Sequence, residues 1–294
     1  MSSFLTYTIN GALTGLLYAL IAMSFVIIYR SARVFNFAQG ELIVVGAFLI
    51  WTYMALFDLD WWIAIPMALA SSLLLGLAVE RFILRPLVGE DLFSFVMVTI
   101  GLLILIRGVV LVTWGPEVRF FPAILPAVAV RFGSIVIDQA LLYGGALTIL
   151  ISVLASWFFN RTQAGLEMSA VAEDHETALS LGISVRRSIA IAWGISAMLS
   201  TIAAIVFLNG KGMTFLASDI GFAALPVALL AGLESIGGVV LGGLIVGVAS
   251  GLAAYFLDPI FDGGVAAVFP FLIMVVILLV RPTGLFGWKT IERI

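Results

Sequence analysis

Residues 160–188 read NRTQAGLEMSAVAEDHETALSLGISVRRS. The stretch holds eight ionisable side chains, His175 included, in a chain whose composition is otherwise lipid-soluble. Overall 63% of the 294 residues are hydrophobic and 11% are charged, with a mean hydropathy of +1.23. A soluble domain carries about 25% charged residues. A polar island this long between two apolar runs is more than a connection, because loops of more than about 12–15 residues are usually functional or disordered. It points to a polytopic membrane protein with one large docking surface outside the bilayer.

Outward from the island, apolar runs fall at about residues 8–29, 41–57, 61–80, 93–113, 139–159, 188–208, 222–257 and 265–280. Runs of about 18–25 residues can each cross a hydrocarbon core of about 30 Å. Backbone in lipid must satisfy itself, and no alternating barrel pattern is present, so the runs are read as helices. The N-terminal MSSFLTYTIN has no charged leader, so the first run is read as a retained span. The run at 222–257 is too long for one ordinary span and is interrupted at 232–238, so it is read as a broken helix or two segments. Arg30, Arg33, Arg81, Arg85, Arg161, Arg186 and Arg187 flank the runs on the side expected to be cytoplasmic. With Arg281, Lys289 and Arg293, they predict an outside N-terminus, an inside C-terminus and an odd number of crossings. Arg119, Arg131 and Lys211 fall outside on this scheme and are its weak point.

Several classes lack their residues. There is no GxxxxGK[ST] phosphate cradle, no GxSxG elbow and no HExxH, and a single histidine excludes a multi-histidine metal site. The chain has no cysteine, so no disulfide or thiol chemistry is possible. A net charge of −3 without a basic patch argues against nucleic acid. Ionisable candidates in or beside apolar runs are Glu41, Glu80, Arg107, Asp219 and Glu234. Glu41 follows Gly40, where negative charge suits a helix start. Arg107 fits snorkelling or a structural ion pair. Glu80 and Arg81 are read as a solvated span end.

Two irregular segments place glycine and a carboxylate at or within apolar runs, one in each half of the chain. They are 33–41, RVFNFAQGE, and 232–238, GLESIGG. Paired breaks of this kind mark internally repeated transporter folds with a site where helices break. Glycine-capped helix ends are the plainer alternative. Glu234, among Ala, Leu, Gly and Ile, is either a costly buried carboxylate or a solvated turn residue. Gly237, Gly238, Gly242, Gly243 and Gly247 are expected to let helices approach closely.

Within the island, Met168, Val171, Ala172, Ala178, Leu179 and Leu181 recur at helical spacing opposite Glu173, Asp174 and Glu176. One amphipathic helix over 167–181, ended by Gly182, is predicted. Its acidic polar face favours a protein groove over lipid, with a solvated connector as the alternative.

The run GALTGLLYALIAMSFVIIYRSARVFNFAQGELIVVGAF resembles the start of the membrane subunits of branched-chain amino acid ABC importers. AVAEDHETALSLGISV resembles the cytoplasmic coupling segment of ABC import permeases. LPVALLAGLESIGGVVLGGLIVG and the terminal RPTGLFG also fit that family, so the likeness covers about residues 8–287. It implies an all-α polytopic membrane protein, an ABC importer permease of about eight to nine spans with broken or re-entrant segments. The whole of 1–294 would form one transmembrane permease domain, with 161–187 as its coupling segment in the bacterial inner membrane.

The implied chain is not an enzyme and holds no cofactor; ATP is used by a separate ATPase. Implied partners are a homologous second permease, two ATPase subunits, an extracytoplasmic substrate-binding protein and membrane lipid. That binding protein would dock on loops near 114–139 and 209–221. Implied substrates are branched-chain or other hydrophobic amino acids, with urea, amides or aromatic carboxylates as the alternative within the family. Asn36, Gln39, Glu41, Glu234 and Ser235 are candidates for the translocation pathway or gate. Glu173, Asp174, His175, Ala178, Leu181, Gly182 and Ile183 are candidates for ATPase coupling. The other class in play is a stand-alone secondary transporter or channel. The chain is rich in Trp and Phe, including Trp51, Trp61, Trp62 and Trp193, and interfacial aromatic belts explain most of them.

Overall fold

The computed structural model describes residues 2–87, 90–126, 128–133, 135–261 and 263–287. Twelve α-helices carry the described chain: α1 (Ser2–Ala32), α2 (Gln39–Trp51), α3 (Trp61–Val79), α4 (Leu92–Trp114), α5 (Gln139–Arg161), α6 (Gln163–Glu173), α7 (His175–Ser180), α8 (Val185–Leu208), α9 (Asp219–Ala223), α10 (Leu225–Ala231), α11 (Ile236–Phe256) and α12 (Val265–Val280). Seven helical stretches are long and apolar enough to cross a membrane, and two shorter apolar ones lie at Phe215–Ala231 and Val265–Val280. Among the described residues the strands form two short antiparallel pairs. β1 (Arg119–Phe120) pairs with β4 (Gly212–Met213), and β2 (Ala129–Phe132) with β3 (Ile135–Asp138). The all-α membrane expectation is met, and the long run at 222–257 resolves into α10 and α11.

The contacts divide the chain into two compact units, each assembled from separated segments. One comprises residues 27–126 and 157–222. Here α8 packs on α2 and α3 through small residues. A Cβ on Gly46 would strike Thr201, and one on Gly76 would strike the Trp193 backbone. Beside them Ser72 and Thr201 share a hydrogen bond at 2.5 Å. Trp193 is therefore a buried packing residue rather than an interfacial aromatic, whereas Trp61 and Trp62 are exposed.

Glu80 corrects a second expectation. It is buried, not solvated, and its carboxylate accepts from Arg85 Nε at 3.2 Å and from a terminal guanidinium nitrogen at 2.9 Å. A π-helical turn over Glu80–Leu84 brings these i,i+5 partners together.

The other unit comprises residues 1–26, 127–156 and 223–294. Its α1 and α11 cross backbone to backbone. A Cβ on Gly15 would overlap the Gly243 carbonyl, and Cβ atoms on Gly247 and Gly251 would overlap the carbonyls of Gly11 and Tyr7. Small residues at four-residue spacing permit this approach in lipid, where no hydrophobic drive joins helices. Gly242 lies against Leu230, Gly238 against Phe286, and Gly237 has open space around it. Gly237 therefore takes no part in the close approach expected of it.

Candidate functional site

The first break begins where α1 ends. Arg33 sits in the left-handed region at φ +53°, and residues 34–38 run without helix until α2 starts at Gln39. The first turn of α2 is pinned to the middle of α8. Gln39 Nε2 donates to Ser200 Oγ at 2.6 Å, Ser196 Oγ donates to Gln39 Oε1 at 3.1 Å, and Asn36 Nδ2 donates to the same oxygen at 3.0 Å. Asn36 Oδ1 in turn accepts the Ala38 N–H. Ser196 and Ser200 lie halfway along α8, so α2 starts at that helix's mid-level rather than at its end. Asn36, Gln39, Ser196 and Ser200 are all buried.

A second cluster lies one helical step away. Glu41 is 1% exposed and takes Arg107 Nε at 2.8 Å, with a terminal guanidinium nitrogen 2.7 Å from the same Oε1. Arg107 also donates to Ser218 Oγ at 2.7 Å. Gly40 meets the Ser218 carbonyl and Gly221 meets Gly40, so the 215–221 turn is held against the start of α2 at backbone contact. Arg107 is thus a structural ion-pair partner, and the span containing it is tied to both α2 and the turn before α9. Glu41 Oε2 is buried with no hydrogen-bond partner. Within this unit three of the five pathway candidates, Asn36, Gln39 and Glu41, are brought together.

Glu234 and Ser235 belong to the other unit, where they form the second break. α10 ends at Gly232, left-handed at φ +87°, and Leu233 follows at φ +43°. Ser235 caps α11, its Oγ accepting the Gly238 N–H at 3.0 Å. Glu234 is half-buried within this turn. The terminal RPTGLFG folds onto the same place. Leu285 N–H donates to the Leu230 carbonyl at 2.8 Å, and a Cβ on Gly232 would strike Gly287 and the Thr283 carbonyl. The two motifs that carried the C-terminal resemblance are therefore one packed joint. Residues 288–294, with Lys289 and Arg293, lie outside the described residues.

The polar island is two helices rather than one. Asp174 adopts φ −155°, ending α6, and its Oδ1 accepts the Thr177 N–H at 2.9 Å to start α7. An aspartate that caps its own neighbour outcompetes helix continuation. Gly182, at φ +80°, follows the end of α7, and Ile183 N–H bonds the Ala178 carbonyl at 3.0 Å.

The inner face is fixed: Met168, Val171, Ala172 and Ala178 are buried, and Arg33 Nε donates to the Ala172 carbonyl at 2.8 Å. Gly165 lies against the Phe158 carbonyl, so α6 folds back tightly on the end of α5. The outer face carries Leu166, Leu179 and Leu181, all exposed, with Glu173 and Asp174. A groove runs between Leu166, Glu167 and Ala170 on one side and Leu181, Ile183 and Arg187 on the other. The side chains of His175 and Glu176 lie outside the described residues.

One buried polar group leaves no charge signal in the sequence. Asn209 is buried, accepts the Ile124 and Leu125 N–H groups at 2.8 and 2.9 Å, and donates to the Leu125 carbonyl. Nearby, Arg119 stacks 4.4 Å from the Trp51 ring and donates to the Trp114 carbonyl, so its charge is partnered. No cluster of His, Cys, Asp and Glu able to hold a metal occurs among the described residues.

Long apolar helices, spans broken at polar turns and a capped polar segment between them define a multi-pass membrane transport protein. Comparison with known proteins gives the family. The model of the branched-chain amino acid transport system permease component matches residues 7–280. The high-affinity branched-chain amino acid transport system permease protein BraD of Pseudomonas aeruginosa is 30% identical, over 99% of this chain and 98% of that protein. Its counterpart LivH of Escherichia coli K12 is 27% identical over the same shares. Among solved structures, PsaBC from Streptococcus pneumoniae in complex with Fab aligns over 94% of this chain and 92% of that one, at 12% identity and a TM-score of 0.48. The chain belongs to the branched-chain amino acid transport permease family. It is a membrane permease, multi-pass in the inner membrane.

Proposed function

We propose that this chain is the translocation subunit of an ATP-driven importer for branched-chain or similar hydrophobic amino acids. Hydrolysis takes place on two separate ATPase subunits, and this chain carries neither nucleotide site nor cofactor. A homologous second permease completes the membrane part, and an extracytoplasmic binding protein delivers substrate. The observation that carries the reading is the α6–α7 segment. Its inner face is fastened to the spans, its outer face presents exposed leucines beside acidic residues, and the chain has no nucleotide motif of its own. Such a part transmits force because it is rigid, whereas a floppy loop would dissipate the displacement. The relatives' names, all of permease proteins in a transport system, support the same reading.

On this reading residues 161–187 face the cytoplasm and dock in an ATPase groove through Leu181, Ile183 and the acidic rim of Glu173 and Asp174, with His175 beside them in sequence. The N-terminus is outside and the C-terminus inside. Seven long and two short apolar helical segments among the described residues are compatible with the odd crossing number this requires. Asn36, Gln39 and Glu41 hold the first break, and Glu234 and Ser235 the second, as the joints of the gate. An affinity-tagged chain expressed with its neighbouring genes should co-purify an ATPase in a ratio that survives detergent exchange. Recovery of a folded permease with no ATPase would remove the importer reading and leave a self-sufficient transporter.

A further inference from the structure

The groove on the polar segment has a volume of about 570 Å³ and lies within one unit of the chain. One wall is a single face of α6, where Leu166, Glu167 and Ala170 recur at three- and four-residue steps. The other wall is the turn from α7 into α8, with Leu181, Ile183 and then Arg187 in the first turn of α8.

Both walls are rigid. α6 is held from behind by the buried Met168, Val171 and Ala172, and by Gly165 against the Phe158 carbonyl. The turn is tied at both ends. Ile183 N–H donates to the Ala178 carbonyl at 3.0 Å, and Ser184 Oγ accepts the Arg187 N–H at 3.4 Å. A preorganised surface of this kind binds without losing entropy to its own ordering.

Glu167 and Arg187 line the groove from opposite walls, yet they are not paired. Among the described residues neither side chain makes an ion pair or a hydrogen bond. Between the two charges the lining is apolar, and Leu166 and Leu181 are exposed, as is Leu179 beside them. Exposed apolar side chains clustered outside the spans mark a protein-contact surface. Walls this exposed leave a small molecule half in water, whereas small-molecule sites enclose about 70–90% of their ligand. The occupant that fits is therefore a protein segment.

We infer that the groove is a socket for a projecting segment of the ATPase subunit. The segment carries an apolar anchor between a basic side chain, which meets Glu167, and an acidic one, which meets Arg187. The inference rests on the importer reading and adds the partner's chemistry to it. On that reading Leu181 enters a groove of the ATPase; the socket makes the contact reciprocal, so the two surfaces interlock. The apolar anchor supplies affinity, and the opposed charges fix the direction in which the segment lies. A segment laid end for end, or one from an ATPase with the charges reversed, sets like charges together and is refused.

The test uses the full permease in nanodiscs, assembled with its partner permease. Binding of the ATPase expressed from its neighbouring genes is titrated for Glu167→Lys, Arg187→Glu and the double variant. Neither side chain has a partner within the described chain, so all three should insert and fold as the wild type does. Each single reversal should weaken binding about tenfold, and the double variant should bind more weakly than either. The double variant keeps the net charge, so a general charge effect does not account for its loss. Wild-type affinity in the double variant would mean that the two groups serve only each other. Weakening by one reversal and strengthening by the other would mean a long-range field. Either result, or wild-type affinity in all three, overturns the socket. Leu181→Asp in the same titration reports on the docking reading separately. Loss with Leu181→Asp alone keeps the docking and removes the socket; loss with the charge variants alone keeps the socket and removes the apolar knob.

Discussion

The unit built on α2 and α8 is joined by side chains, and the unit built on α1 and α11 by backbone. In the first, Gln39 reaches Ser196 and Ser200, and Glu41 reaches Arg107, across helices that could otherwise part. In the second, Gly11 and Gly15 interleave with Gly243, Gly247 and Gly251 and leave no room for a Cβ. Lipid is as apolar as leucine, so neither joint draws on the hydrophobic effect, and each uses one of the remaining sources of association. A hydrogen-bonded joint can break and re-form with discrete partners. A glycine joint permits sliding but tolerates no added atom. The contrast matters for a transport protein, whose helices must both hold and shift.

The contrast breaks most sharply along α11 itself. Gly247→Ala and Gly237→Ala are the same substitution on the same helix. The first drives a methyl into the Gly11 carbonyl and the Gly15 backbone, while the second enters open space. Gly247→Ala should lower thermal stability in lipid nanodiscs by about 3 kcal/mol, the upper range of overpacking. Gly237→Ala should leave it unchanged or raise it by up to about 1 kcal/mol through helix propensity. Equal behaviour of the two would show that the α1–α11 crossing is looser than described.

Glu41→Gln comes next. It leaves Arg107 without its counter-charge and should cost about 3 kcal/mol, the low end for breaking a buried pair, because Arg107 keeps 30% side-chain exposure. Adding Arg107→Gln should recover part of that loss, with a coupling of about 1–3 kcal/mol in a double-mutant cycle. Strict additivity would mean the two groups do not act as a pair.

The smallest effect is expected at Ser200→Ala. It removes the interhelical bond donated by Gln39 Nε2 and leaves the two that Asn36 and Ser196 donate to Gln39 Oε1, at about 0.6–1 kcal/mol by denaturant titration. A loss as large as that of Glu41→Gln would move the weight of the joint from the ion pair to the amide.

How far the sequence reveals these joints depends on the signal each leaves. The breaks at 33–41 and 232–238 are visible because glycine and a carboxylate interrupt apolar runs, and few sequences do that without a structural reason. Arg107 reads as an ion-pair residue, yet its partner 66 positions earlier cannot be found by spacing. Glu80 reads as a solvated span end because helical pairing runs three or four residues ahead, whereas a π-turn delivers Arg85 at five. The island reads as one helix because apolar spacing continues past Asp174. The capping bond that stops α6 costs that spacing nothing. Gly237 and Gly247 look alike in a list of glycines, and only the packing separates them.

The segment between α5 and α8 is the place to test the whole reading, because Leu181 is 72% exposed and can be changed without disturbing a joint in either unit. In proteoliposomes containing the assembled importer, ATP hydrolysis and uptake of L-leucine are measured together for wild type and Leu181→Asp. The variant should insert and fold normally but lose stimulated hydrolysis and uptake, since a carboxylate in place of an apolar knob does not enter an apolar groove. Normal coupled uptake by Leu181→Asp would contradict the role assigned to the α6–α7 segment.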